Sequence, residues 1–284
     1  MKETYIYKPV QFFLFVNLFM WITWLPVAIS SYQPAGSTSG LLSILILIGL
    51  CGPFIGSLWF IFTSKSEELK RNYFKRLFNL RLIKPITLLP ILLTVPIAAS
   101  LAVWLSHLFF GLPMSQLTIA KETFKAGIFS GALLLFLAPL LEELGWKGYG
   151  VDSLRGKNNF LTVSLIYGGL WALWHLPCFF INGYYQNMIF LENPLFALNF
   201  LISVLPTAII INWLWYKNQG SILTAVLFHF VFDLQGFLQM GQIAKCIETG
   251  VFIIMAIIVV YFNRNVFLKQ FPPQIGNYGE EGIK

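Results

Sequence analysis

The chain has 284 residues, 57% apolar and only 11% charged, against about 25% charged in an ordinary soluble domain. A mean hydropathy of +0.72 and apolar runs without polar faces exclude a soluble two-domain enzyme and imply an all-α, polytopic membrane protein. The formal net charge of +7 does not indicate nucleic acid, because the basic residues form no single polar face. They sit in loops between apolar runs, where they set topology.

Eight candidate transmembrane helices follow in chain order, over about 9–30, 40–63, 86–110, 127–149, 160–181, 195–216, 221–240 and 250–267, in a single membrane domain covering 1–284. At about 1.5 Å per residue each crosses, or nearly crosses, a hydrocarbon core of about 30 Å. The first is longer than the apolar region of a signal peptide, in spite of Ala28-Ile29-Ser30 at its end, and reads as a retained span. The segment 64–84 mixes Lys and Arg with Tyr73, Phe74, Leu77, Phe78 and Leu80. It is compatible with a helix on an anionic membrane surface and reads more simply as a basic loop.

With the N-terminus inside, sixteen Lys and Arg fall on the cytoplasmic side and three, Lys121, Lys125 and Lys245, on the other. This bias predicts a multi-pass protein of the cell membrane with both termini cytoplasmic. Cys51, Cys178 and Cys246 form no CxxC pair and read as small core hydrophobes. The tail 271–284, with Pro272-Pro273 and three glycines, reads as disordered. No internal repeat is visible, and the halves lack matching broken helices, which weakens a transporter reading.

Ionisable groups interrupt the apolar runs at three places: Glu142-Glu143 in FLAPLLEELGWKGY, His175 in WALWHLP, and His229 with Asp233 in FHFVFD. A charged Asp, Lys or Arg at the centre of a membrane helix costs roughly 2.5–3.5 kcal/mol, so three such places point to one polar site shared by several helices. Neighbouring helical residues diverge by about 100°, so Glu142 and Glu143 are expected to differ in role. Glu143 precedes Lys147 by four residues, the favourable order for an ion pair. That leaves Glu142 to face a cavity as a general base or a metal ligand. A pair of glutamates that merely marks a cytoplasmic helix end fits the same sequence. Gly145 and Gly148 would let a neighbouring helix, or a substrate backbone, approach closely.

His175 lies one turn after Trp171, and Pro177 ends or bends the helix just beyond it. It reads equally as a cavity residue and as a bonded bundle residue. For His229 and Asp233, one turn apart, a carboxylate fixing the tautomer, a direct metal pair and structural glue all remain open. His107 has no such partner and reads as structural or interfacial. Two histidines and a glutamate (Glu142, His175, His229) suit a divalent metal such as zinc with an open fourth position, although HExxH is absent. By the span boundaries, Glu142 and His175 differ in depth by roughly 10 Å, a gap that tilt or a break near Pro177 must close.

In order and spacing the three motifs resemble those of the CPBP family of intramembrane proteases, which includes CAAX proteases and bacteriocin-processing (Abi-type) enzymes. The family pattern EExxxR, FxxxH and Hxxx(N/D) becomes Glu142-Glu143 to Lys147, Trp171 to His175, and His229 to Asp233. The resemblance covers about 127–240, the expected catalytic core. Lys147 stands for the family's arginine, which removes a bidentate contact, and Trp171 stands for phenylalanine. The resemblance implies an endopeptidase with Glu142, Glu143, His175, His229 and Asp233 as catalytic set, supported by Lys147 and Trp171. Glu142 and His175 would activate water, while His229 and Asp233 would stabilise the oxyanion or support a metal. The partners implied are a peptide or protein substrate at the membrane and the lipid bilayer. The substrate could be prenylated, or belong to peptide maturation or bacteriocin self-protection. A catalytically silent regulator of a membrane partner and a proton-coupled transporter would use the same groups.

Overall fold

The computed structural model describes residues 5–33, 39–119, 125–126, 129–156 and 158–270; the tail expected at 271–284 lies outside them. Helix α1 (Pro9–Ser30) begins with proline in its first turn, where the missing N–H is no loss, and buries Phe12, Val16, Met20 and Trp24. Helices α2 (Ser39–Leu50) and α3 (Gly52–Thr63) form one apolar stretch bent by 47°. Pro53 follows the bend and supplies no N–H to the preceding turn.

The segment read as a basic loop contains a helix, α4 (Glu67–Arg76). Ser66 caps it by accepting the Leu69 N–H, with Glu67 and Glu68 in its first turn and Lys75 and Arg76 in its last, the arrangement that the helix dipole favours. The helix docks by burying Leu69, Tyr73 and Arg76. The Tyr73 hydroxyl donates to the Leu144 carbonyl at 3.4 Å, and burial pushes its pKa up to about 12. Arg76 donates from Nη1 to the carbonyls of Lys147 (3.1 Å) and Gly220 (3.2 Å), and its Nη2 pairs with Asp152 at 3.1 Å.

Helix α5 (Pro85–Phe110) ends on Gly111 at φ +66°, the left-handed cap that glycine adopts without a Cβ penalty. A two-residue antiparallel pairing, Lys125–Ala126 with Phe129–Ser130, precedes α6. Helix α6 (Gly131–Gly145) passes through a π-helical turn, Trp146–Gly150, into α7 (Val151–Leu154). Helix α8 (Phe160–Trp174) stops at His175 and continues as a 3-10 turn, Leu176–Phe180, the break that Pro177 leads one to expect. Helices α9 (Tyr185–Glu192), α10 (Pro194–Lys217) and α11 (Ile222–Asp233) follow, the last extended by a 3-10 turn to Phe237. Then come α12 (Gln242–Phe262) and the short α13 (Arg264–Phe267).

This is an all-α integral membrane protein that crosses the bilayer several times. Among the described residues five helices are long and apolar enough to span, α1, α5, α8 with its 3-10 turn, α10 and α12, or six counting the bent pair. The expected eight are not reached on length and composition. Helix α6 and its continuation hold Glu142, Glu143, Lys147 and Asp152. Helix α11 has 12 residues, about 18 Å at 1.5 Å each. The span expected at 250–267 begins earlier, at Gln242.

In the packed core α10 lies against α8 and α12, α12 against α5, and α6 between α3 and α11. The start of α1, α4, α7 and the end of α10 gather at one end of the bundle, tied by Tyr5–Tyr149 (2.9 Å) and by Arg76. The end of α1, the 3-10 turn after α8, α9 and the start of α12 gather at the other, tied by Asn182–Ser31 (2.9 Å) and Lys245–Tyr185 (2.9 Å).

Candidate active site

Two glycines let α6 and its π turn sit deep in the bundle. A Cβ on Gly145 would overlap the backbone of Pro53 on α3, and one on Gly148 would press on the Tyr73 ring. The expected close approach is therefore helix to helix. It drives Glu142, Glu143 and Lys147 into the interior, all three at 3% exposure or less.

The two glutamates part as their 100° separation requires. Glu142 lines a cavity of about 480 Å³ together with His175, His229 and Asp233. Its Oε2 accepts the indole N–H of Trp171 at 2.8 Å and that of Trp146 at 3.4 Å, which leaves Oε1 as the oxygen for a water. Glu143 stays off the cavity wall. Its Oε2 lies 3.3 Å from Lys147 Nζ, and its Oε1 accepts from His229 Nδ1 at 2.9 Å. The Lys147 ammonium also lies 4.0 Å from the centre of the Tyr167 ring, a cation–π contact in a desolvated place.

His175 Nδ1 donates to the Trp171 carbonyl at 2.8 Å. A carbonyl only accepts, so the proton is on Nδ1 and Nε2 carries the lone pair. His229 gives Nδ1–H to Glu143, and its Nε2 lies 3.6 Å from Asp233 Oδ1. Trp171 stacks on Tyr167 (5.5 Å between centres, 12° between planes) and meets His229 edge-on at 5.1 Å. Its ring and carbonyl thus connect Glu142 to His175, and this closes the expected depth gap: Glu142 is level with Trp171, one turn below His175.

The structure brings Glu142, His175, His229 and Asp233 to one cavity and keeps Glu143 and Lys147 behind it. It leaves His107 apart, bonded to the Leu112 carbonyl at 2.8 Å. Sequence reasoning missed the Glu143–His229 bond, Trp146, and two cavity residues of α12, Lys245 and Glu248. The last two carried a signal, charge beside an apolar run, but starting the final span at 250 left them in a loop.

As arranged, the side chains offer no ready zinc set. Among the described residues no three His, Cys, Asp or Glu groups are placed to hold an ion.

Comparison with known proteins agrees with the motif order. A family model described as type II CAAX prenyl endopeptidase Rce1-like matches residues 123–235, which hold all three motifs. A protein named CAAX prenyl protease 2 from Methanococcus maripaludis is 37% identical over 272 residues, covering 95% of this chain and 99% of that protein. With a match of this extent, the chain belongs to the Rce1-like family of CAAX prenyl endopeptidases.

Proposed function

We propose that the protein hydrolyses a peptide bond near the C-terminal end of a membrane-associated substrate, with residues 127–240 as its catalytic core. A water in the cavity gives a proton to Glu142 Oε1 and attacks the scissile carbonyl carbon. Glu142 is oriented for this by the two indoles on Oε2. The lone pair on His175 Nε2 accepts the water's other proton in a hydrogen bond and aims the attacking oxygen. The oxyanion forms beside His229, whose Nδ1–H is held by Glu143 and whose Nε2 lies 3.6 Å from Asp233; with both carboxylates beside it the ring acts as an imidazolium and donates its Nε2–H to the oxyanion. Collapse breaks the C–N bond, and Glu142 passes its proton to the leaving nitrogen. No step is routed through a metal.

The observation that carries this reading is a buried glutamate held by its own hydrogen bonds at the wall of a cavity of about 480 Å³ with two histidines. The rest of the wall is mainly apolar, including Met20, Trp24, Ile46, Leu50 and Leu134, and suits an aliphatic side chain or a prenyl group. The Lys and Arg distribution supports both termini in the cytoplasm. The deciding experiment compares new peptide termini in cells carrying wild-type protein or Glu142→Ala at matched expression. Termini that vanish with the variant support proteolysis. Identical profiles, with the wild type proved functional by a phenotype, sink it in favour of regulation or transport.

A further inference from the structure

Lys245 and Glu248 line the same cavity as Glu142, and the reaction above uses neither. Lys245 lies in the first turn of α12. Its ammonium donates to the Tyr185 hydroxyl at 2.9 Å and sits 4.3 Å from the centre of that ring. Among the described residues it is the sole Lys or Arg on the cavity wall, and no described carboxylate forms an ion pair with it. Among the described residues two of its three ammonium protons therefore have no hydrogen-bond partner, and Glu248, one turn on, interacts with it only through space. The N-terminus of α12 has no side-chain cap, so its first N–H groups and the helix dipole add to the attraction for an anion there. Glu248 is 7% exposed, and its Oε1 has no hydrogen-bond partner. A buried acceptor in that state calls for a donor.

We propose that Lys245, with Tyr185, binds the C-terminal carboxylate of the substrate, and that Glu248 accepts a backbone N–H of the last residues. The proposal rests on the peptidase reading and names the end of chain that the cavity recognises. An extended peptide carries both chemistries, a terminal anion and, a residue or two earlier, an amide donor. A Cys-a-a-X motif puts the free carboxylate three residues beyond its cysteine. Three extended residues span roughly 10 Å, and the cavity that Lys245, Glu248 and Glu142 all line gives such a segment one volume to occupy. The enzyme would thus measure its cut from the chain end.

The test uses the full chain in detergent and two farnesylated Cys-a-a-X peptides, identical except that one ends in a carboxylate and the other in an amide. Wild type should cleave the acid at least tenfold faster at sub-saturating concentration. Lys245→Met should bring the ratio close to one, Lys245→Arg should keep the preference, and Glu248→Leu should raise KM for both peptides. Equal cleavage of both by wild type, or an undiminished preference in Lys245→Met, overturns the anchor. Unchanged KM in Glu248→Leu removes that residue from it. Cleavage of neither peptide by wild type overturns the peptidase reading itself, a result distinct from loss of discrimination. Because wild type alone can fail, the proposal does not depend on any variant folding.

Discussion

Lys147 Nζ lies 3.3 Å from Glu143 Oε2, with both side chains at 0% exposure and outside hydrogen-bond geometry. The pair is placed by helix periodicity, and its value lies in what Glu143 does next, holding His229 through its other oxygen. Lys147→Met removes one charge of a buried pair, for which the cost is about 3–5 kcal/mol. Thermal unfolding in detergent should show a large fall, with activity falling alongside as His229 loses its fixed partner. Lys147→Arg keeps the charge and should keep most of both. A Met variant as stable as wild type would show that the ion pair holds nothing in place.

Trp171→Phe separates the ring from its N–H. The ring packs on Tyr167 and His229, while the N–H serves Glu142. A hydrogen bond to a charged group contributes about 1.5–3 kcal/mol, so kcat should drop roughly ten- to hundredfold. KM should change little, because the indole nitrogen faces the base and not the peptide. An unchanged kcat would mean that Trp146 alone suffices to orient Glu142.

How much of this was legible follows the distance over which each relationship acts. Glu143 with Lys147, and the break at Pro177, lie within one helical turn and were readable from spacing. The bond from Glu143 to His229 joins residues 86 apart, and no local pattern reports it. Helix α4 hid because its basic residues suggested a loop, although Ser66 followed by Glu67-Glu68 was a start signal. The count of eight is not confirmed on length and composition, since the charges that build the site interrupt α6 and α11 is short.

Arg76 offers a test of stability apart from chemistry. It sits on α4, away from the cavity, and ties the π turn through the carbonyls of Lys147 and Gly148 and α7 through Asp152. Arg76→Ala leaves those carbonyls without their donor and Asp152 with Arg155 at 3.1 Å. Unfolding should be easier by roughly 3 kcal/mol, while kcat per folded molecule stays within a factor of a few. A kcat collapse at unchanged stability would place α4 in the reaction instead of in the scaffold.

The position of the cavity bears on which side of the membrane the substrate comes from. Part of the cavity wall, Tyr184, Tyr185 and Met188 with Gln235, Gly236 and Gln242, lies at the end of the bundle opposite to α4 and the start of α1. With the α4 end in the cytoplasm, as proposed from the Lys and Arg bias, the mouth would face outwards. Single cysteines at Gly236 and, as control, at Asn79 can be placed in a protein whose Cys51, Cys178 and Cys246 are changed to alanine. A membrane-impermeant maleimide added to intact cells should label Gly236→Cys, and should label Asn79→Cys only after permeabilisation. That result would mean an exported substrate, or one presented from the outer leaflet. The reverse pattern would overturn the orientation and put the mouth in the cytoplasm, within reach of C-terminal segments that never cross the bilayer.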